Sequence, residues 1–142
     1  MRLWHYKLLP YLPDAQIKGQ WRECCLIAKD IKEKGKPNHL LINILENYVD
    51  DEFITYCHIV RYQMKNRGFN VTASAEKQVY FRAWTFMQFL FTDWHNKEYL
   101  RVCMANLYEK HFFGVGKSRI TDEEWQRLLD GYKAITGEEY QI

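Results

Sequence analysis

Hydrophobic positions recur every three or four residues along most of this chain, and alternation with a period of two does not persist anywhere. That spacing is typical of helices with one buried face. A first helix is predicted from Asp14 to about Lys34, because Gly35-Lys36-Pro37 then supplies a left-handed cap followed by a residue that cannot continue the hydrogen-bond ladder. Its predicted buried stripe consists of Ile17, Trp21, Cys24, Ala28 and Ile31.

Four more segments are predicted to be helical, namely Asn38 to Tyr48, Asp51 to Arg67, Gln78 to Phe91, and Asn96 or Lys97 to Phe112. Gly68 is expected to end the second of these, with Phe69 folding back onto its last turn. The third is rich in aromatic residues and is expected to be a buried core helix rather than a platform for stacking bases.

A final, acidic helix is opened by the capping box Thr121-x-x-Glu124 and ends at Gly137. The whole chain is therefore predicted to be all-α, a compact single-domain bundle of about five to six helices over residues 1–142. A short N-terminal arm, closed by Pro10 and Pro13, is expected to pack near the first helix.

Sequence motifs limit which cofactors and metals the chain is expected to bind. The four cysteines form no CxxC pair, and the five histidines form no HxxxH or HExxH motif, so neither a metal nor a disulfide framework is expected. Gly116-Lys117-Ser118 resembles the end of a phosphate loop, but that motif requires glycine at position 111, where the chain has His111. No nucleotide cofactor is expected. Without a secretory or membrane segment, the protein is expected to be cytoplasmic and to bind no membrane.

Charge is distributed unevenly, although the net charge is only +2. Residues 1–36 carry eight bases against four acids, whereas the chain from Asp122 onward carries six acids against two bases. A basic body with an acidic final helix suits binding to a polyanion, although a solvated helix face explains the same charges.

The run from Gln20 to Cys25 carries the most suggestive chemistry. At about 100° per residue, Glu23 lies well off the buried stripe, on the same side as Gln16, Gly19 and Gln20. Gly19 has no side chain, so a substrate can approach the backbone one turn before Glu23.

Two interpretations of this carboxylate are open. In the plain one, Glu23 is an exposed helix residue paired with Arg22 or a neighbouring lysine. In the other, the α-amine of Met1 lies close to Glu23, and Arg22, about 100° away on the side of Lys18, grips a phosphate. An amine, a carboxylate and basic surroundings are the parts that imine chemistry on a nucleic-acid sugar requires.

Two sequence blocks carry a resemblance to a known family. They are the N-terminal segment from Met1-Arg2-Leu3-Trp4-His5 through Arg22-Glu23-Cys24-Cys25, and the block Met64-Lys65-Asn66-Arg67-Gly68-Phe69-Asn70. In order and spacing they resemble the pyrimidine-dimer DNA glycosylase family, which includes the phage endonuclease V type, and more closely a cellular bacterial branch of it. Residues 1–72 carry this resemblance.

The resemblance implies a DNA-repair glycosylase with apurinic/apyrimidinic lyase activity, acting as a monomer without cofactor on damaged double-stranded DNA. The N-terminal amine would attack C1′ of the damaged nucleotide, and Glu23 matches the essential glutamate of the family. Because bulky Arg2 follows the initiator methionine, Met1 is expected to be retained and to supply the amine. The matching DNA-binding positions are Arg2, Gln16 and Arg22.

Beyond the resemblance, Lys18 on the first helix and Lys117 and Arg119 in a loop are expected to contact phosphates because they are basic, although a plain solvated loop explains the last two as well. Two alternatives stay open. One is a lyase of the same fold acting on abasic sites or another damaged base. The other is a non-catalytic helical module that binds DNA.

Overall fold

The computed structural model describes residues 1–142, and every regular element in it is helical. The all-α prediction is confirmed. Its α-helices are α1 (Asp14–Lys34), α2 (Asp50–Asn66), α3 (Ala73–Val79), α4 (Lys97–Phe112) and α5 (Asp122–Thr136). Three 3-10 helices cover Tyr6–Tyr11, Asn43–Asn47 and Gly116–Ser118. No helix combines the length and the hydropathy needed to cross a membrane.

The chain forms two compact units. The first unit consists of Met1–Leu3 and Ile17–Phe91, and the second consists of Trp4–Gln16 and Thr92–Ile142. The single domain over residues 1–142 stays a prediction. The very start of the arm and most of α1 share the first unit.

Helix α1 begins and ends where the sequence predicts. Gly35 adopts a left-handed conformation (φ +77°) and its N–H donates to the Ile31 carbonyl at 2.8 Å, which terminates the helix. Of the predicted stripe, Ile31 is only half-buried. The remaining members are buried, namely Ile17, Trp21, Cys24 and Ala28.

Helix α2 contacts α1 inside the first unit. The Cys24 thiol is hydrogen-bonded to Cys57, and burial raises the pKa of Cys24 well above its usual value. All four cysteines are free thiols. The end of α2 is as predicted: Gly68 is left-handed (φ +81°), and the Phe69 N–H donates to the Met64 carbonyl at 2.9 Å.

The predicted helix from Asn38 to Tyr48 is wrong. The segment contains only the short 3-10 helix Asn43–Asn47, and Leu40 is 87% exposed. Side chains compete with the helical ladder here, because the Asn43 amide oxygen accepts from the His39 N–H at 3.2 Å. Only Ile42 and Leu45 of this segment's aliphatic residues are buried, three residues apart, which fits a 3-10 turn better than an α-helix.

The predicted buried helix from Gln78 to Phe91 is also wrong. Helix α3 ends at Val79, the chain beyond it is irregular, and Phe86 and Phe89 are 58% and 69% exposed. Side chains of α2 satisfy the backbone of this segment instead. Their contacts are Thr85 N–H to Asp51 at 2.9 Å, Met87 N–H to Thr55 Oγ1 at 3.1 Å and Phe91 N–H to Glu52 at 2.8 Å.

In the second unit, helix α5 contacts both α4 and the 3-10 helix Tyr6–Tyr11. Both α-helices begin at the predicted caps, with Asn96 accepting from the Tyr99 N–H at 2.9 Å and Thr121 forming a complete capping box with Glu124. Helix α5 ends as predicted, with Gly137 as its C-cap in the left-handed conformation.

Candidate active site

The start of the chain is held by two side chains of α1. The Arg2 N–H donates to Glu23 Oε2 at 3.3 Å, and the Arg2 carbonyl accepts from Gln20 Nε2 at 2.9 Å. Both peptide groups that flank the Arg2 α-carbon are therefore fixed against the helix. The expectation that the arm lies near α1 is confirmed for Met1–Leu3.

The two hydrogen bonds of Arg2 to Glu23 and Gln20 form a clamp, and the Met1 amine lies one residue before it. Since standard bond lengths limit the distance between successive backbone nitrogens, the amine is at most about 7 Å from Glu23 Oε2. Met1 is 38% exposed, whereas Leu3 and Trp4 are buried. Met1 is thus partly exposed, and its amine stays within about 7 Å of the carboxylate as long as the two hydrogen bonds of Arg2 hold.

Glu23 is half-buried and accepts hydrogen bonds from the Arg2 amide and from Gln20 Nε2, the latter at 3.1 Å. No lysine or arginine side chain forms an ion pair with it. The plain interpretation, an exposed carboxylate paired with Arg22 or a lysine, therefore does not describe this residue. Its neighbours are neutral donors that hold a carboxylate in place without neutralising it.

Gln20 connects the arm, the carboxylate and α2. Its side chain is 1% exposed, and its Oε1 accepts from the hydroxyl of fully buried Tyr56 at 2.7 Å. The opposite amide orientation would point a carbonyl oxygen at two other acceptors, so this contact set fixes which atom is which. Both amide hydrogens are thus directed to Arg2 and Glu23.

The basic residues of α1 remain outside this cluster. Arg22 is exposed, and its guanidinium Nη2 lies 3.7 Å from the position that a Cβ on Gly19 would occupy. The Lys18 ammonium lies 4.2 Å from the centre of the Phe69 ring, a cation–π contact with the second sequence block of the resemblance. Neither of these two cations forms an ion pair with Glu23.

The remaining predicted DNA contacts belong to the second unit. Lys117 and Arg119 are exposed at the 3-10 helix Gly116–Ser118. Gln16 is buried, contrary to its expected place on an open polar face, and its Nε2 donates to the Ser118 carbonyl at 3.4 Å. Gln16 Oε1 has no hydrogen-bond partner. The helical phase places Gln16 and Gln20 on an open polar face, but both are buried. The phase of one helix carries no information about which other elements pack over that face.

Sequence reasoning assigned no role to Gln20 or Tyr56. A signal existed for Gln20, which stands three residues before Glu23 and so shares its side of the helix. None existed for Tyr56, since its contact depends on how α2 crosses α1. No group of three or more His, Cys, Asp or Glu side chains is arranged to hold a metal ion.

Comparison with known proteins gives one match. A family model described as pyrimidine dimer DNA glycosylase matches residues 1–77, more than half of the chain. The matched range contains the arm, α1, α2 and the clamp around Arg2. No curated protein and no solved structure matches the sequence.

Proposed function

Because this chain belongs to the pyrimidine dimer DNA glycosylase family, we propose that it breaks the glycosidic bond of one base of a UV-type pyrimidine dimer in double-stranded DNA, through an imine on the Met1 amine. We further propose that it then cleaves the abasic strand as a lyase. The observation that carries this proposal is the hydrogen bond of the Arg2 amide to Glu23 at 3.3 Å, which keeps a surface amine beside an unpaired carboxylate.

The proposed chemistry begins with the lone pair of the Met1 nitrogen attacking C1′. The bond from C1′ to the base breaks, and its electrons leave with the base. The amine then loses a proton, the bond from C1′ to O4′ opens with O4′ taking a proton, and the imine forms. Loss of a C2′ proton next expels the 3′ phosphate by β-elimination. An α-amine suits the first step because it titrates near ~7.7–8.0, far below lysine at ~10.4.

Glu23 serves two steps of this sequence. Its negative charge stabilises the cationic sugar as the base departs, in the manner of carboxylates in glycoside hydrolysis. The same oxygens then accept and return protons during imine formation and elimination. Neutral donors around Glu23 leave that charge available, whereas an arginine partner would offset it.

Affinity for DNA is proposed to come from phosphate contacts. Arg2, Lys18 and Arg22 belong to the same unit as Glu23 and Gln20, and each can neutralise a phosphate. Further contacts are proposed for Lys117 and Arg119 of the second unit, whereas Gln16 is buried and is not proposed to reach DNA. The protein is proposed to act as a monomer without cofactor, and extruding the damaged nucleotide costs least where stacking is already weakened.

Borohydride trapping tests the proposal. The protein, carrying a free N-terminus, is incubated with a dimer-containing duplex, an abasic duplex and an undamaged duplex, and the mixtures are reduced. We expect a covalent adduct with the first two, and mass spectrometry of its peptides should find the DNA remnant on Met1.

Trapping on abasic DNA alone would favour the alternative lyase. If neither damaged duplex gives an adduct, the result would favour the non-catalytic DNA-binding module. A matched sample with one glycine placed before Met1 controls for the position of the amine. It should bind the same duplexes and trap far less, since the new amine lies beyond the clamp.

A further inference from the structure

Gln20 is placed to control both reacting groups of the candidate site at once. Its Nε2 is 2.9 Å from the Arg2 carbonyl and 3.1 Å from Glu23 Oε2. One donor atom therefore sets the distance between the arm that carries the amine and the carboxylate. A buried amide that uses both hydrogens in this way is rigid, because any rotation of its plane breaks two hydrogen bonds.

The orientation of this amide is imposed from α2. Tyr56 is fully buried, its hydroxyl reaches Gln20 Oε1 at 2.7 Å, and its ring is held by Phe91 at 5.8 Å between centroids. A short hydrogen bond inside a dry core is strong and directional. Gln20 therefore connects Tyr56 in the core with Arg2 and Glu23, next to Met1.

We propose that Gln20 is a positioning residue for the imine chemistry and that Tyr56 holds it in its active orientation. This inference rests on the proposed function. Gln20 contacts neither sugar nor base in this assignment; it acts through the Arg2 carbonyl and Glu23. Pre-orientation of this kind contributes to the rate of the chemical step and little to DNA affinity, because misplacement by a fraction of an ångström slows a reaction more than it weakens binding.

Two variants and one matched control test the inference. Gln20→Met keeps the length of the side chain and removes its hydrogen bonds, and Tyr56→Phe removes only the hydroxyl. Gln63→Met is the control, since Gln63 is a buried glutamine of α2 whose Oε1 accepts from Arg67 at 3.3 Å, outside the clamp. Circular dichroism at the assay temperature establishes that each variant is folded.

The first measurement is hydrogen exchange at the Arg2 amide, followed by NMR without DNA. We expect protection in the wild type and in Gln63→Met, and loss of protection in Gln20→Met, because the arm is then held by one hydrogen bond fewer. Equal protection in Gln20→Met and the wild type would show that Gln20 does not hold the arm, and would overturn the inference.

The second measurement is the single-turnover rate of adduct formation on abasic DNA at saturating protein, together with the Kd for the same duplex. Gln20→Met should slow the reaction about 10- to 100-fold, the effect of a lost hydrogen bond to a charged group, with the Kd nearly unchanged. Tyr56→Phe should slow it less, and Gln63→Met should react like the wild type.

The outcomes separate the two proposals. An active wild type whose rate is matched by Gln20→Met overturns the positioning role alone. A Kd that rises in step with the loss of rate also overturns it, because Gln20 would then serve binding. A wild type that traps nothing overturns the proposed function and this inference with it.

Discussion

Glu23 differs from the other acidic residues of α1 in what surrounds it. Asp30 of the same helix pairs with Lys34 at 3.6 Å, as helix carboxylates commonly do one turn apart. Glu23 instead accepts from a backbone amide and a glutamine, and no lysine or arginine side chain pairs with it. These two donors hold the carboxylate next to the first residues of the chain, where the proposed chemistry requires it.

Substitution Glu23→Gln is therefore expected to abolish turnover on a dimer-containing duplex, with a loss of at least about 100-fold, because an amide cannot carry the charge or exchange the proton. DNA affinity should be largely kept, since the removed charge is negative. Single-turnover kinetics and a titration of the same duplex measure both quantities. Glu33→Gln, an exposed position of α1, is the control; an undiminished rate in Glu23→Gln would refute the catalytic role.

Gly19 and Gly131 lie inside α-helices, and replacing each by alanine is expected to have opposite effects on stability. A methyl at Gly19 of α1 would meet only Arg22 Nη2 at 3.7 Å, whereas a methyl at Gly131 of α5 would overlap the Tyr11 ring. Gly19→Ala should therefore stabilise the protein by about 0.5–1 kcal/mol through helix propensity, and Gly131→Ala should destabilise it by roughly 1–3 kcal/mol through overpacking.

Urea unfolding of both variants measures these free energies. The same Gly19→Ala protein tests whether the bare backbone of α1 admits DNA, in which case a more stable protein binds the duplex less tightly. Unchanged affinity would mean that nothing approaches α1 at this position.

At the scale of elements, the sequence predicted what local chemistry decides. Helices α1, α2, α4 and α5 carry caps and one apolar face, and their bounds agree with the structure within a residue or two. The two segments whose predicted helices are wrong, Asn38 to Tyr48 and Gln78 to Phe91, are rich in apolar residues but carry no caps of this kind. The backbone from Thr85 to Phe91 is bound by side chains of α2, a long-range arrangement that periodicity cannot encode.

The candidate site divides in the same way. Glu23 and Met1 were found from a helix position and a chain end, with the family resemblance supplying their pairing. Gln20 and Tyr56 were missed because their contact spans two helices. Gln16 was expected on an open face and is buried, since its neighbours come from a loop more than a hundred residues away.

The exposed basic side of α1 predicts the salt dependence of DNA binding. Arg22 forms no ion pair within the protein, whereas Lys34 of the same helix is already paired with Asp30. Arg22→Ala should reduce the slope of log K against log salt by about 1, because one phosphate contact releases about one counterion. Lys34→Ala should change the slope less. Fluorescence anisotropy over a range of salt concentrations measures both, and equal slopes would remove Arg22 from the DNA contacts.

Over the whole molecule, charge is divided between the two units. The first unit holds twelve Lys and Arg against eight Asp and Glu, a net +4, and the second holds eight against ten, a net −2. The unit that carries the clamp is thus the one that attracts a polyanion. The pH dependence of stability is expected to come from the second unit, which contains two buried histidines, His5 and His95.

His5 and His95 stack at 5.1 Å between ring centroids, and each Nδ1 accepts a backbone N–H, from Lys7 at 3.1 Å and from Tyr6 at 3.0 Å. These contacts require neutral imidazoles that carry their proton on Nε2. Burial lowers the pKa of His5 to about 4, an effect that the nearby charge of Lys7 reinforces. Burial also lowers the pKa of His95 to about 2, with the neighbouring His5 adding to it.

Stability should consequently fall as the solution is acidified below pH 6.5. The unfolded chain takes up protons on both histidines near that pH, while the folded protein resists protonation until about pH 4, so acid favours unfolding throughout the window between them. The expected cost is about 1.4 kcal/mol per pH unit for each histidine. Urea unfolding between pH 5 and 7 measures this slope. The slope should decrease in His5→Gln and persist in His39→Gln, a position outside the pair; a stability that is flat over this range would show that the two imidazoles are readily protonated in the folded protein.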